Sequence, residues 1–391
     1  MHKQVTTSLL RRSYSTSSSS SSSSSRWSLL SRSSRISSNS NAALLLKTTP
    51  LQQLHQPQLQ LQPQRVYQHQ HVQTRQSSHS PMGLPPTNPR KKVTLNTLQS
   101  MYKRGEKITM ITAHDFPSAH VAEHAGMDMI LVGDSLAMVA LGMEDTSEVL
   151  VEEMLLHCRS VARASSRAFT VGDMPMGSYE ISPQQALSTA IRFIKEGRMS
   201  AVKLEGGAEM APTIRAITTA GIPVLAHIGL TPQRQNALGG FRVQGKSKES
   251  AKRLLRDALA VQEAGAFAMV VEAVPQEVAS FITGLLKVPT IGIGAGSGTS
   301  GQVLVQADMT GNFPPGRFLP KFVKKYGDVW GEALRAIESY RDEVKGKSYP
   351  AEEHTYPMAR EEVEAFVGDV RRLMGANASA SEAEGEGEKE A

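Results

Sequence analysis

Glu263-Ala264-Gly265-Ala266-Phe267-Ala268-Met269-Val270-Val271-Glu272 contains one complete joint of a repeating fold. A long amphipathic stretch ends at Gly265, the run Ala266–Val271 is apolar without alternation, and an acid stands where the run stops. Glycine at such a place takes the left-handed conformation that closes a helix C-terminus. A short unbroken apolar run reads as a strand buried on both faces, as in a parallel sheet. The same joint recurs at His124-Ala125-Gly126-Met127 and at Thr219-Ala220-Gly221-Ile222. Working outward gives eight apolar runs: Lys107–Thr112, Met127–Gly133, Ala168–Gly172, Ala201–Leu204, Ile222–Ala226, Ala266–Val271, Thr290–Ile293 and Gln302–Val305. Eight strands alternating with helical stretches predict a (β/α)8 TIM barrel, with an open doubly wound sheet as the alternative. The last two runs are so close that the helix between them must be short or missing.

The rest of the 391-residue chain narrows the class. One cysteine, Cys158, excludes an internal disulfide and a Cys-cluster zinc site. No stretch approaches the run of about 18 apolar residues that a membrane span requires, so no membrane association is expected. Of the 43 Lys and Arg, twelve fall within residues 1–92, and the first acid of the chain is Glu106. From residue 93 onward 31 basic residues face 37 acidic ones. The region expected to fold is therefore mildly acidic, and nucleic-acid binding loses the basic surface it needs. Residues 1–92 are Ser-, Gln- and Arg-rich, with nine serines from Ser17 to Ser25. Such a composition buries too little apolar surface to order itself, and its acid-free, Arg-rich character is that of an organellar transit peptide, here mitochondrial. The expected organisation is a transit and low-complexity segment at 1–92 and a catalytic barrel at 93–358. A C-terminal helix at 359–374 and a disordered acidic tail at 375–391 follow.

Polar residues stand where the apolar runs end: Asp115, Asp134 with Ser135, Asp173, Lys203 with Glu205, His227 and Glu272. In a barrel all strand C-termini face one mouth, so these residues converge. A single acid there is commonly a helix cap, but five acids with a lysine and a histidine need a cation or a proton to compensate them. Oxygen ligands without cysteine suit Mg²⁺, which takes one or two protein carboxylates and leaves other positions to water and substrate. Asp134 and Asp173 are the expected direct ligands, and Glu205 binds directly or through water. Lys203 and Glu205, two residues apart on one strand, point to the same side. Lys203 there serves either to bind a substrate carboxylate or to pair with a neighbouring acid. Glu272, at the edge of an apolar wall, is placed to have a raised pKa and act as a general base. His227 is either a substrate-orienting group or a satisfied buried histidine. The glycines of Gly292-Ile293-Gly294-Ala295-Gly296-Ser297-Gly298 either cradle a phosphate or let the backbone turn tightly. Cys158 falls on a helix expected at Val151–Ala164, which favours packing over reactivity.

Read together, these motifs resemble the ketopantoate hydroxymethyltransferase family over residues 93–356. The resemblance rests on Ile111-Thr112-Ala113-His114-Asp115, Leu131-Val132-Gly133-Asp134-Ser135, Gly172-Asp173-Met174-Pro175 and Val202-Lys203-Leu204-Glu205-Gly206-Gly207. It continues through His227-Ile228-Gly229-Leu230-Thr231-Pro232-Gln233, Val271-Glu272-Ala273-Val274-Pro275 and Tyr349-Pro350-Ala351-Glu352-Glu353-His354. It implies Mg²⁺ among Asp134, Asp173 and Glu205, an α-keto acid held by Asp134, Ser135, Asp173 and Lys203, and Glu272 as proton acceptor. The implied reaction moves a one-carbon unit from 5,10-methylenetetrahydrofolate to 3-methyl-2-oxobutanoate, giving 2-dehydropantoate, in a homo-oligomer. A barrel lyase of the isocitrate lyase or phosphoenolpyruvate mutase type and a barrel that has lost catalysis are the competing readings. His114, Ala137, Met176 and Ser300 depart from residues common in the family, and none is a proposed ligand or base.

Overall fold

The computed structural model describes residues 91–387, with side chains to residue 375. Eight parallel strands close into a barrel in sequence order. They are β1 (Ile108–Thr112), β2 (Met129–Val132), β3 (Phe169–Asp173), β4 (Ala201–Glu205), β5 (Val224–Gly229), β6 (Ala268–Glu272), β7 (Thr290–Ile293) and β8 (Gly301–Leu304). Each expected apolar run overlaps one strand, with β3 to β6 running one to three residues further at the C-terminal end to take in their polar residues and β8 starting one residue earlier, and the fold is the (β/α)8 barrel. β1 pairs with β8 from Ile108↔Gly301 to Ile111↔Leu304, so the sheet has no free edge.

Side chains alternate across a strand, which sorts its residues into two layers. Met110, Met129, Leu131, Phe169, Val171, Ala201, Leu225, Ala268, Val270, Ile291 and Val303 form the apolar filling of the barrel. Leu98 and Met101, from the helix Leu95–Lys103, pack on that filling. The alternate residues, among them Ile130, Val202, Leu204, Val224, Ala226, Met269 and Val271, belong to a second cluster shared with the surrounding helices. Burial on both faces is why the strand sequences show no polar alternation. The inward positions continue toward the strand C-termini as Asp173 after Val171, Lys203 and Glu205 after Ala201, His227 after Leu225 and Glu272 after Val270. The barrel is thus apolar below and ionic at its mouth.

Local signals set the helix ends. Asp115 caps the helix Phe116–Ala125, its carboxylate accepting from Ser118 N at 2.8 Å. Gly126 and Gly265 have φ of 77° and 100°, the left-handed turns expected of them. No helix separates β7 from β8. Beyond β8 come a short helix, Gln306–Thr310, and a long one, Val329–Gly346, none of whose residues is buried. The final helix spans Arg360–Gly387. It runs through the region assigned to a tail from residue 375, because the Ala and Glu residues there are good helix formers. No described helix is long and apolar enough to cross a membrane. The serine run and the rest of the expected transit segment through residue 90 lie outside the described residues.

Candidate active site

Parallel register places the polar residues of neighbouring strands side by side. Asp173 and Lys203 are partners between β3 and β4, Glu205 and His227 between β4 and β5, and Gly229 and Glu272 between β5 and β6. Lys203 Nζ donates to both carboxylate oxygens of Asp173 at 2.7 Å and lies 3.8 Å from Glu205 Oε1. His227 Nδ1 is 3.3 Å from Glu205 Oε1, and its Nε2 is 3.2 Å from Glu272 Oε2. Asp173, Lys203, Glu205, His227 and Glu272 therefore form a continuous array of alternating sign. Asp134, just beyond β2, joins it through its backbone N–H, which donates to Asp173 Oδ2 at 3.2 Å. All are buried except Glu272, whose side chain is 14% exposed and is the most open to the mouth.

Burial and mutual charge displace the protonation of this set. Burial, then the neighbouring Asp173, holds the Asp134 carboxyl well above the usual aspartate range, against the opposing pull of Lys203. Burial also works against the charged forms of Lys203 and Glu205, but opposite charges win. Asp173, Asp134 and Glu205 raise the lysine, whereas His227 and Lys203 lower the glutamate. Burial and Lys203 push His227 down, yet the flanking Glu205 and Glu272 carboxylates prevail and raise it to about 9. The His227 contacts lie within ion-pair distance but are poorly angled. Both ring nitrogens and Glu205 Oε1 remain buried without a hydrogen bond.

Four carboxylates (Asp134, Asp173, Glu205 and Glu272) face one ammonium and one imidazole. Counted formally, with all four acids ionised and His227 protonated, two negative charges are unbalanced, the charge that a divalent cation supplies; without a cation, the raised pKa of Asp134 relieves part of that excess. Among the described residues, no three His, Cys, Asp or Glu side chains already stand as a metal cluster. The Lys203 ammonium, seated on both Asp173 oxygens, occupies the position of a counter-cation. Mg²⁺, which takes one or two protein carboxylates, fits Asp134 and Asp173, with the unsatisfied Glu205 oxygen nearby.

Other sequence candidates fall into place. Asp115 is a helix cap and stands outside the array. Ser135 is half-buried beside Asp134, and its side chain is not used to cap the short helix Leu136–Val139. The glycines after β7 are required by packing. A Cβ at Gly294 would lie 2.7 Å from the Phe322 ring, one at Gly296 2.5 Å from Gln276 and one at Gly298 1.8 Å from Ser280. Cys158 is buried in the helix Val151–Ala164, and burial pushes its thiol far up, away from the reactive thiolate.

Two further residues of the site lie away from any strand end, so the strand pattern gives them no role, although Gln233 closes the motif that begins at His227. Gln233, on the turn Pro232–Arg234 after β5, donates from Nε2 to Asp134 Oδ2 at 2.9 Å and from its backbone N to Glu205 Oε2 at 3.1 Å. Tyr179, fully buried in the loop after β3, donates to Gln233 Oε1 at 2.5 Å and accepts from Glu205 N at 3.3 Å. Both follow strand ends by several residues, where a loop has no periodicity to mark its inward side chains.

Residues 92–352 match the family model described as ketopantoate hydroxymethyltransferase. A 3-methyl-2-oxobutanoate hydroxymethyltransferase of Emericella nidulans is 73% identical over 292 residues, covering 75% of this chain and 84% of its own length. One from Oleidesulfovibrio alaskensis is 52% identical over 260 residues, 66% of this chain and 89% of its own. A relative from Oryza sativa subsp. japonica, named 3-methyl-2-oxobutanoate hydroxymethyltransferase 2, mitochondrial, is 48% identical over 293 residues, 74% and 73% of the two chains.

Proposed function

The chain belongs to the ketopantoate hydroxymethyltransferase family, a family of transferases, and from that premise we propose that it hydroxymethylates 3-methyl-2-oxobutanoate to 2-dehydropantoate for pantothenate synthesis. The one-carbon donor in this reading is 5,10-methylenetetrahydrofolate. Water supplies the hydroxyl oxygen and tetrahydrofolate leaves. The observation that carries the reading is the array of alternating charge from Asp173 to Glu272, with Asp134 beside it.

The chemical task is to remove the proton on the carbon next to a ketone and hold the resulting enolate until it meets an electrophilic carbon. Glu272 takes that proton. It is the most exposed carboxylate of the array, and His227 holds one of its oxygens at 3.2 Å while the other remains for the substrate. His227, between Glu205 and Glu272, keeps the base in place and offsets its charge. Lys203 supports the metal-side acids through Asp173 and presents positive charge toward the substrate carboxylate, with Ser135 as a further polar contact. Asp134 and Asp173 would hold Mg²⁺, with Glu205 direct or through water. When bound, Mg²⁺ supplies a Lewis acid for the keto oxygen and carboxylate of the substrate.

Two wider features belong to the same reading. The Arg- and Ser-rich N-terminal region and the mitochondrial relative from rice support delivery to the mitochondrion. Ile337 and Tyr340, exposed at 66% and 57% on the helix Val329–Gly346, support self-association into a homo-oligomer.

Proton exchange isolates the first chemical step. With Mg²⁺ in D₂O and no folate, the enzyme should exchange the C3 proton of 3-methyl-2-oxobutanoate, followed by NMR. Glu272→Gln should still bind Mg²⁺ and keto acid but exchange at least about 10²-fold more slowly, the lower range for losing a positioned base. Exchange by this variant at the parent rate would assign the proton to another group, Glu205 or His227 first.

A further inference from the structure

We propose that Gln233 is the positioning residue of this site. Its side-chain amide fixes the Asp134 carboxylate by holding Oδ2 and leaves the other oxygen for the cation, an inference that rests on the metal reading above.

The amide has one possible orientation. Nε2 donates to the Met174 carbonyl at 3.0 Å as well as to Asp134 Oδ2 at 2.9 Å, and a carbonyl can only accept. Oε1 accepts from the Tyr179 hydroxyl, whose proton burial makes harder to lose. Both amide hydrogens and the amide oxygen are therefore committed, in a side chain only 3% exposed. A fully satisfied buried amide is rigid, because any rotation breaks several bonds at once with no water to replace them.

Gln233 also reaches the site through its backbone, donating to Glu205 Oε2. One residue from the loop after β5 thus fixes an acid after β2 and an acid at the end of β4. The turn that carries it is tied across the mouth by the neighbouring Gln235, whose Nε2 donates to Asp145 Oδ2 at 2.7 Å. Fixing the outer oxygens of ligands in this way sets their direction before any cation arrives, and loss of such partners typically weakens metal binding about 10- to 100-fold.

Mn²⁺ binding to the full chain without substrate, read by electron paramagnetic resonance, tests the assignment. Gln233→Met keeps the side-chain length and the backbone bond to Glu205 and removes only the amide. It should fold and bind Mn²⁺ roughly 10- to 100-fold more weakly than the parent. Tyr179→Phe, which frees the amide oxygen and also removes the acceptor of the Glu205 N–H, should weaken binding at least roughly two- to tenfold, the effect of one lost hydrogen bond. The double variant should lose less than the two single losses combined, since both changes share the Gln233 amide and only the Tyr179 contact with the Glu205 N–H is separate. A folded Gln233→Met with parental Mn²⁺ affinity, whatever its melting temperature, would overturn the proposal by reducing Gln233 to a loop tie. If Gln233→Met does not fold, Tyr179→Phe decides, and parental affinity there overturns the proposal equally. A parent protein that takes up no Mn²⁺ brings down the metal reading itself, an outcome distinct from a parent and variants that bind alike.

Discussion

Lys203 supplies the ammonium among four inward carboxylates, and its Nζ rests 2.7 Å from both oxygens of Asp173. Removing one member of a buried ion pair is costlier than the pair itself is worth, typically about 3–5 kcal/mol, because the other charge is left uncompensated. Lys203→Met keeps most of the volume and removes the charge. The pH dependence of the loss identifies its origin. Asp134 has a folded pKa above its ordinary 3.8, raised by burial and Asp173 and pulled back by Lys203. A group raised on folding contributes stability that is complete below the unfolded pKa and is lost as pH rises through the folded value. Without Lys203 that folded value climbs further, so the deficit relative to the parent should grow as pH rises above the aspartate range. Denaturant unfolding in the absence of metal at pH 5 and pH 8 should show the larger deficit at pH 8. A deficit equal at both would mean that Lys203 contributes packing and not charge.

At the scale of elements, β3 shows how closely a strand that carries a site residue is seated. Gly172 immediately precedes Asp173, and a Cβ there would lie 2.5 Å from Cδ1 of Phe193, a fully buried ring on the helix Pro183–Lys195. Gly172→Ala should therefore cost about 1–3 kcal/mol through overpacking. Phe193→Leu creates space at the same point, so the double variant should lose less than the two single losses added together, as measured by chemical denaturation. Additive losses would mean that β3 shifts away from the helix instead of pressing on it. The same geometry explains what is legible in the sequence. Strands buried on both faces appear as apolar runs, and the two-residue spacing of inward positions marks Asp173, Lys203, Glu205, His227 and Glu272 in the sequence itself. The roles of Gln233 and Tyr179 are not legible, even though Gln233 closes the motif from His227, because the turn Pro232–Arg234 and the loop after Pro175 place side chains by local backbone geometry that no period records. Asp115 is ambiguous for the opposite reason, since an acid before a helix has the same sequence signature whether it caps the helix or serves a site.

For the whole molecule, charge and topology divide the chain at the same place. Residues 1–92 have twelve basic residues and no acid, whereas the remainder has an excess of acids. The barrel begins with the helix Leu95–Lys103, whose Leu98 and Met101 pack on the barrel filling, and β1 closes directly onto β8. Every strand of the sheet therefore has its two neighbours within residues 108–304. Val93 adds a backbone bond, its N–H donating to Arg167 O at 2.7 Å, so a chain starting at residue 89 keeps this contact. None of the proposed catalytic or metal-binding residues precedes Asp134. Removal of residues 1–88 should leave the melting temperature and the hydroxymethyl transfer rate of the purified protein unchanged. In cells, the same truncation fused to a fluorescent reporter should lose mitochondrial delivery, because the basic, acid-free segment that import machinery reads is gone. A truncated protein that fails to fold would make the N-terminal region part of the barrel's support. A truncated protein that still reaches the mitochondrion would place the address within the folded sequence.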